Sequence, residues 1–174
     1  VKKYNFIFKD SVKVKSDDYI ILTDDMRYNS ANETSYFYGP SYIISNENII
    51  YCENGWFNSK TNISQFKKNA YISNNDYTLR GDSLFFNKNI GYGKAINNIE
   101  IIDSLENFKI YGGIAEYYEK EKLLKITKKP SLNIISKKDT LYMHANRFIL
   151  KQDSIQKKLI AYNKVKFFKT DLQG

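Results

Sequence analysis

The stretch "YTLRGDSLFFNKNIGYGKAINNIEIID" (77–103) holds two runs of alternating apolar residues joined by a polar turn. The first run sets Tyr77 and Leu79 on one side, passes Gly81-Asp82, and resumes at Leu84 and Phe86. Across Asp82 the parity of the apolar positions has moved by one residue. Strand side chains alternate faces with a period of two, so this shift marks a bulge or corner that keeps the apolar side inward. After "NKN" the chain returns with Ala95, Ile99 and Ile101 as its inward set.

The same unit recurs along the chain. The position of Asp82 is matched by Asp24 in "ILTDDMRY", Glu53 in "YCENGWF", Gly113 in "IYGGIAEY" and Asn146 in "MHANRF", at spacings of 29, 29, 31 and 33 residues. Each unit opens on an apolar pair (Tyr19/Ile21, Ile50/Cys52, Tyr77/Leu79, Phe108/Ile110, Leu141/Met143). After the corner it resumes in shifted phase at Met26/Tyr28, Gly55/Phe57, Leu84/Phe86, Ala115/Tyr117 and Phe148/Leu150. Polar turns such as "NSANET", "NSKTN" and "EKEK" lead into return strands. Their inward sets are Phe37/Ser41/Ile43, Phe66/Ala70/Ile72, Ala95/Ile99/Ile101, Ile126/Leu132/Ile134 and Ala161/Val165/Phe167. A fixed period of this length is the signature of stacked supersecondary units, each covering its neighbour. Alternation over both strands of every unit predicts an all-β fold. The segment "YYEKEKLLKITKK" (117–129) has helix-forming residues, but its place in the repeat makes it a hairpin.

Composition agrees. Of 174 residues, 42% are hydrophobic and 16% aromatic, enough to bury one core, and the Tyr and Phe that dominate favour strands. Prolines and glycines are few, and Asn and Asp supply the turn chemistry in their place. No apolar run is long enough to span a membrane as a helix. The start, "VKKYNFIFKD", lacks the apolar region of a signal peptide, so an exported form would carry its signal upstream. Both ends read as cuts through a unit, so the expectation is a single domain over 1–174 that is an interior piece of a longer repeat protein or whose neighbours supply more strands. The single Cys52 excludes an internal disulfide.

Charge is uneven. Residues 1–107 carry 12 Lys/Arg against 13 Asp/Glu, and residues 108–174 carry 15 against 6. The basic end contains Lys128-Lys129, Lys137-Lys138, Lys157-Lys158, Lys164 and Lys166 among aromatics. Four readings fit it: a solubilising surface, an anionic lipid headgroup, a single-stranded nucleic acid stacked on the aromatics, or an oppositely charged neighbour. Nucleic acid ranks below the lipid, because the aromatics recur in the non-basic units too and are core first.

Nothing in the sequence carries catalysis. The one histidine, His144, and Cys52 lie far apart, and no set of residues has metal-ligand spacing. Adjacent acids, Asp17-Asp18 and Asp24-Asp25, point to opposite faces of a strand and suit turns and corners. "GYGKA" (91–95) has glycines in a strand return, not between a strand and a helix, so it does not cradle phosphate. The expectation is a protein that is not an enzyme and needs no cofactor or metal.

The opening D-x-[LM]-x-[YF] and the return G-x-A-x-N/G-x-[IV]-x-I resemble the OstA/LptA-like family. "GDSLFFNKNIGYGKAINNIEI" (81–101), "TDDMRYNSANETSYFYGPSYII" (23–44) and "LIAYNKVKFFKTDLQG" (159–174) carry the resemblance best, and "CENGWFN" and "KKDTLYMHANRF" are similar to Bacteroidetes members. Gly113 and Glu53 stand where the family has Asp, and Asn146 where Asp is common. The resemblance implies a β-jellyroll, open at both ends, in the periplasmic machinery that carries lipopolysaccharide toward the outer membrane. It implies edge-strand pairing with neighbouring jellyrolls and an apolar slide for acyl chains. The residues expected along that slide are Tyr28, Phe37, Ile43, Phe57, Phe66, Ile72, Leu84, Phe86, Ile99, Ile101, Tyr117, Leu132, Phe148, Val165 and Phe167. Lys128, Lys129, Lys164 and Lys166 are the candidates for anionic headgroups. Two alternatives stay open: the periplasmic domain of an outer-membrane lipopolysaccharide translocon, and a β-solenoid binding anionic polysaccharide. Antiparallel neighbours would favour the jellyroll and parallel coils the solenoid.

Overall fold

The structure, a computed structural model, describes residues 4–103, 105, 107–136, 139–152 and 156–169. Eight long strands come first: β1 (Asn5–Lys15), β2 (Tyr19–Asn29), β3 (Thr34–Ser45), β4 (Ile49–Asn58), β5 (Ile63–Ser73), β6 (Tyr77–Asn87), β7 (Tyr92–Asp103) and β8 (Phe108–Tyr118). Six short ones follow: β9 (Leu123–Thr127), β10 (Ser131–Ile135), β11 (Thr140–His144), β12 (Arg147–Gln152), β13 (Lys157–Tyr162) and β14 (Lys166–Lys169). All belong to one hydrogen-bonded sheet, and every pairing is antiparallel. This connectivity is the jellyroll's and not the solenoid's.

Strands β1 to β8 pair in sequence order, and each ladder slips once near its middle, as at Lys67/Ala70 between β5 and β6. The slips align into a line of corners. There the sheet folds on itself, so the first and second halves of each strand become two facing walls. Residues from both halves share one buried cluster, including Ile21 with Met26 and Ala70 with Phe66. Beside the corner, where the walls converge, the first wall is lined by Thr23, Ser41, Cys52, Ala70 and Gly81, all small. The Thr23 and Ser41 hydroxyls lie 2.7 Å apart in a hydrogen bond, so these buried polar groups are satisfied.

Corner geometry alternates between strands. The return strands cross on two consecutive left-handed residues: Asp10-Ser11 (φ 64° and 61°), Lys68-Asn69 (59° and 54°) and Asn97-Asn98 (58° and 49°). In β3 Gly39 (φ 89°) precedes Pro40 at the same place. Left-handed backbone costs most L-residues about 1–2 kcal/mol, less for Asn and Asp, and little for Gly. Glycine at 39 and Asn at 69, 97 and 98 thus fit their positions.

The hairpins follow the same period. Asn29, Asn58 and Asn87 each accept a turn N–H at their Oδ1 (Ala31 2.8 Å, Thr61 2.7 Å, Asn89 3.1 Å). Each turn closes on a left-handed residue, Glu33, Asn62 or Gly91. Successive turns are stitched by Ser59 N–H to the Glu33 carbonyl and Lys88 N–H to the Asn62 carbonyl, both 3.0 Å.

After β8 the sheet divides. Residues 108–111 of β8 pair with β10, which leads to β11 and β14; residues 114–118 pair with β9, which leads to β12 and β13. Each long strand of the expected repeat is here two short strands, separated at Lys128–Pro130, Ala145–Asn146 and Asn163–Val165. The two walls continue, but no single strand bridges them.

Candidate functional site: the mouth and the spine of a folded sheet

Folding a sheet along its midline gives it a spine, where the corners lie, and a mouth, where the two rows of hairpin turns meet. At the mouth, the rings of Tyr19 and Phe57 touch edge to face across the two walls, with centroids 6.2 Å apart. Further along, Lys157 Nζ donates to Asp103 Oδ2 at 2.9 Å, joining the turn after β7 to the start of β13. Asp103 is buried, and its Oδ1 accepts the Leu105 N–H at 3.0 Å, so it caps its own turn and ties the walls together. Burial pushes the Tyr77 and Tyr117 hydroxyls up, and each lies near carboxylates that add to the effect. Tyr77 also adds to the shift of Tyr117.

The predicted slide residues separate into layers. Phe37, Phe66, Leu84, Ile99, Ile101, Leu132 and Phe148 are buried, Phe37 and Phe148 with 0% exposure. Tyr28, Ile43, Phe57 and Ile72 are half-buried against that core, and Phe86 is half-buried as well. Tyr117 is 39% exposed. In register, Tyr28, Ser35, Phe57, Ser64, Phe86, Gly93 and Tyr117 form one inward row along the second wall. Aromatic residues on the even strands alternate with small residues on the odd ones. A Cβ on Gly93 would sit 3.3 Å from Phe86 Cδ2 and 3.6 Å from Tyr117 Cβ, so glycine lets these two aromatics close up. Val165 and Phe167 are exposed at 45% and 67%. Val165 falls in the break before β14, and β14 has a described strand on one side only, so no neighbour covers Phe167.

The spine carries the positions first marked by Asp82. Two of the acids there, Glu53 and Asp82, meet a left-handed residue of the next return strand. Asn69 Nδ2 donates to Glu53 Oε1 at 2.7 Å, and Asn98 Nδ2 to both Asp82 carboxylate oxygens at 3.0 Å. At the first corner Lys9 Nζ meets Asp25 Oδ2 at 2.7 Å. The series ends at Gly113, where a Cβ would fall 2.6 Å from Lys128 Cβ and 3.4 Å from the Lys128 carbonyl.

Beyond Gly113 the spine is basic. Lys128, Lys129 and Lys164 line one hollow of about 380 Å³ with His144 and Asn146, over a floor of Pro130 and Ala145. Lys166, the fourth headgroup candidate, pairs with His144 in the β11–β14 ladder. Sequence reading picked these lysines from a charge run; the fold brings three of the four to one place. It also puts them on the outer spine, across the molecule from the mouth. Lys137 and Lys138 lie outside the described residues. Arg147 was not anticipated. Its guanidinium lies 4.3 Å from the centre of the Tyr162 ring, and its buried Nε has no hydrogen-bond partner. The corner pairs Asp10-Ser11, Gly39-Pro40, Lys68-Asn69 and Asn97-Asn98, evenly spaced in the sequence, were the signal that could have located the spine.

No helix among the described residues is long and apolar enough to cross a membrane, and no described group of His, Cys, Asp and Glu is set to hold a metal. Burial pushes the Cys52 thiol up to about 12, so it stays protonated and unreactive at neutral pH.

Residues 3–82 match the family model described as OstA-like protein. No curated protein sequence matches the chain. Among solved structures, the chain is similar to the crystal structure of LptH from Pseudomonas aeruginosa, described as the LptA homologous periplasmic component of the conserved lipopolysaccharide transport device. The two share 9% identity, the match covers 70% of this chain and 93% of that one, and the TM-score is 0.57. At that identity the likeness speaks for the fold alone. A little under half of the chain, residues 3–82, is thus similar in sequence to the OstA-like family, and the fold of the whole is similar to the LptH jellyroll.

Proposed function

We propose that this protein is a periplasmic component of lipopolysaccharide transport, in which the mouth row holds acyl chains while the deeper layers act as rigid core. The carrying observation is the continuous row of half-buried Tyr28, Phe57 and Phe86 and exposed Tyr117, spaced by Ser35, Ser64 and Gly93. An aliphatic chain laid against it gains about 0.8 kcal/mol per methylene removed from water. The family of residues 3–82 and the LptH-like fold support the same assignment.

Carriage of this kind is binding and release, so the reading assigns no catalytic step and no cofactor. Neighbouring jellyrolls are the partners it calls for, toward the outer membrane. β1 has a described strand on one side only and exposes Phe6, Ile7 and Phe8, with Tyr4 exposed just before it, which suits strand addition by such a neighbour.

The test is a photo-crosslinking amino acid at Phe86, with Phe85 on the opposite face as its control, in cells making lipopolysaccharide. An adduct at 86 and none at 85 is the expected result. Adducts at neither position, in a folded protein, would leave the row as ordinary core and overturn the reading.

A further inference from the structure

The basic hollow on the spine is unlike the rest of that line. Upstream, two of the three corner acids are matched by an amide donor, Glu53 by Asn69 and Asp82 by Asn98, and Asp25 beside the first corner is matched by Lys9. At the hollow the acids stop and the cations do not. Among the described residues, no carboxylate pairs with Lys128, Lys129 or Lys164, nor with the neighbouring Arg147 guanidinium. Asp82 borders the adjoining hollow but already accepts two hydrogen bonds from Asn98.

Solubilising lysines need no special backbone. These three sit at φ values of 65°, 57° and 51°, where a lysine is disfavoured and Asn or Gly is the usual solution. The glycine at 113 leaves room for Lys128 and would not admit the acid that the repeat places there without moving it. Close-set cations, an amide (Asn146) and an imidazole (His144), unneutralised and over an apolar floor, are the donor set that a multiply charged oxyanion accepts from.

We propose that this hollow is a binding site for a phosphate-class oxyanion, either a free phosphate or the phosphate of an acidic lipid headgroup. It lies outside the folded sheet and across from the mouth. It therefore does not depend on the acyl-chain reading, and crosslinking at Phe86 can fail without touching it.

Two ligands separate the sources: inorganic phosphate, followed by amide NMR shifts at low ionic strength, and phosphatidylglycerol/phosphatidylcholine vesicles, followed by co-sedimentation against phosphatidylcholine alone. The variant is Lys128→Asn/Lys129→Asn/Lys164→Asn, because Asn tolerates left-handed backbone and the fold survives the loss of charge. Its control, Lys13→Asn/Lys15→Asn/Lys60→Asn, removes equal charge elsewhere. Phosphate is expected to shift amides at 128–129, 144–146 and 163–165, and the spine variant to weaken it about tenfold or more. Loss of vesicle binding in the spine variant alone identifies the lipid headgroup; phosphate binding without vesicle binding identifies a soluble anion. No shift at the hollow in the unaltered protein, or equal weakening by the control, overturns the proposal.

Discussion

Strands β2 to β8 turn the corner unbroken, whereas the chain after Gly113 turns it by leaving the sheet. Both regions use the same repeat, the same inward parity and the same left-handed doublets, which continue as Lys128-Lys129 and Asn163-Lys164. They differ in what holds the doublet. In the first region Asn69 and Asn98 donate to an acid on the neighbouring strand, and those bonds pin the ladder on either side of the bulge. In the second the acid is missing, the corner residues carry like charges, and the walls separate into β9–β12–β13 and β10–β11–β14. A periodic apolar pattern is therefore enough to build two facing walls. Keeping one strand continuous through both needs a polar contact at the bend.

The largest test of that contrast is in the core. Phe37 and Phe148 are both fully buried, one in each region, and truncating either to Ala should cost about 3–5 kcal/mol. Repeat units contact mainly their neighbours, so the loss should stay regional. Hydrogen exchange in urea is expected to show β9–β14 opening first in Phe148→Ala and β2–β5 first in Phe37→Ala. Coincident opening of all strands in both variants would break the comparison and make the two regions one cooperative unit.

Corner chemistry gives a smaller effect of opposite signs. Asn98→Ala removes both hydrogen bonds to Asp82 and puts a disfavoured residue in left-handed backbone, a loss of about 1–2 kcal/mol. Lys129→Asn places a tolerant residue at φ 57° and removes one like charge, and should gain up to about 1 kcal/mol. Urea midpoints measure both. A loss at Lys129 equal to that at Asn98 would mean that the basic corner is built for stability after all.

Much of this was legible in the sequence, for a physical reason. A strand can present its apolar residues to one side only at a period of two, so the shift of parity across Asp82 had to be a bend, and Ser41, Ala70 and Ile99 had to be inside. The division after β8 was not legible. A left-handed Lys128 looks like any other lysine in a basic run, and the clash that empties position 113 exists only once β9 is in place. Contacts across the mouth were hidden for a related reason. Asp103 and Lys157 are 54 residues apart, and nothing periodic links them. Of the slide residues, sequence gave the inward face but not the depth, so Phe37 and Phe57 looked equivalent when one is sealed and the other lies at the mouth.

The smallest effect belongs to the junction between the regions. Glu116 in β8 stands between Lys94 of β7 and Lys125 of β9 in the outer ladder. Burial alone would raise its carboxyl. Hydrogen bonds from Lys125 Nζ (3.1 Å) and the Tyr92 hydroxyl (3.0 Å), with the charges of Lys125 and Lys94, outweigh burial and hold it below the ordinary 4.5. A carboxyl lowered by folding stabilises fully above its unfolded value, and that contribution is lost as pH falls through the folded one. Tyr92 shows the opposite sign. Burial first, then the bond to Glu116 and its charge, push its hydroxyl from 10.0 to about 12, so its share is present below 10.0 and lost as pH rises through about 12. Glu116→Gln keeps an acceptor for Tyr92 but no charge. The stability gap between the two proteins should be widest between those limits and shrink below pH 4.5, while phenolate absorbance of Tyr92 moves down toward 10.0. A gap that stays constant with pH would show that Glu116 joins the two regions by packing, and that the charged ladder across β7, β8 and β9 contributes nothing to holding them together.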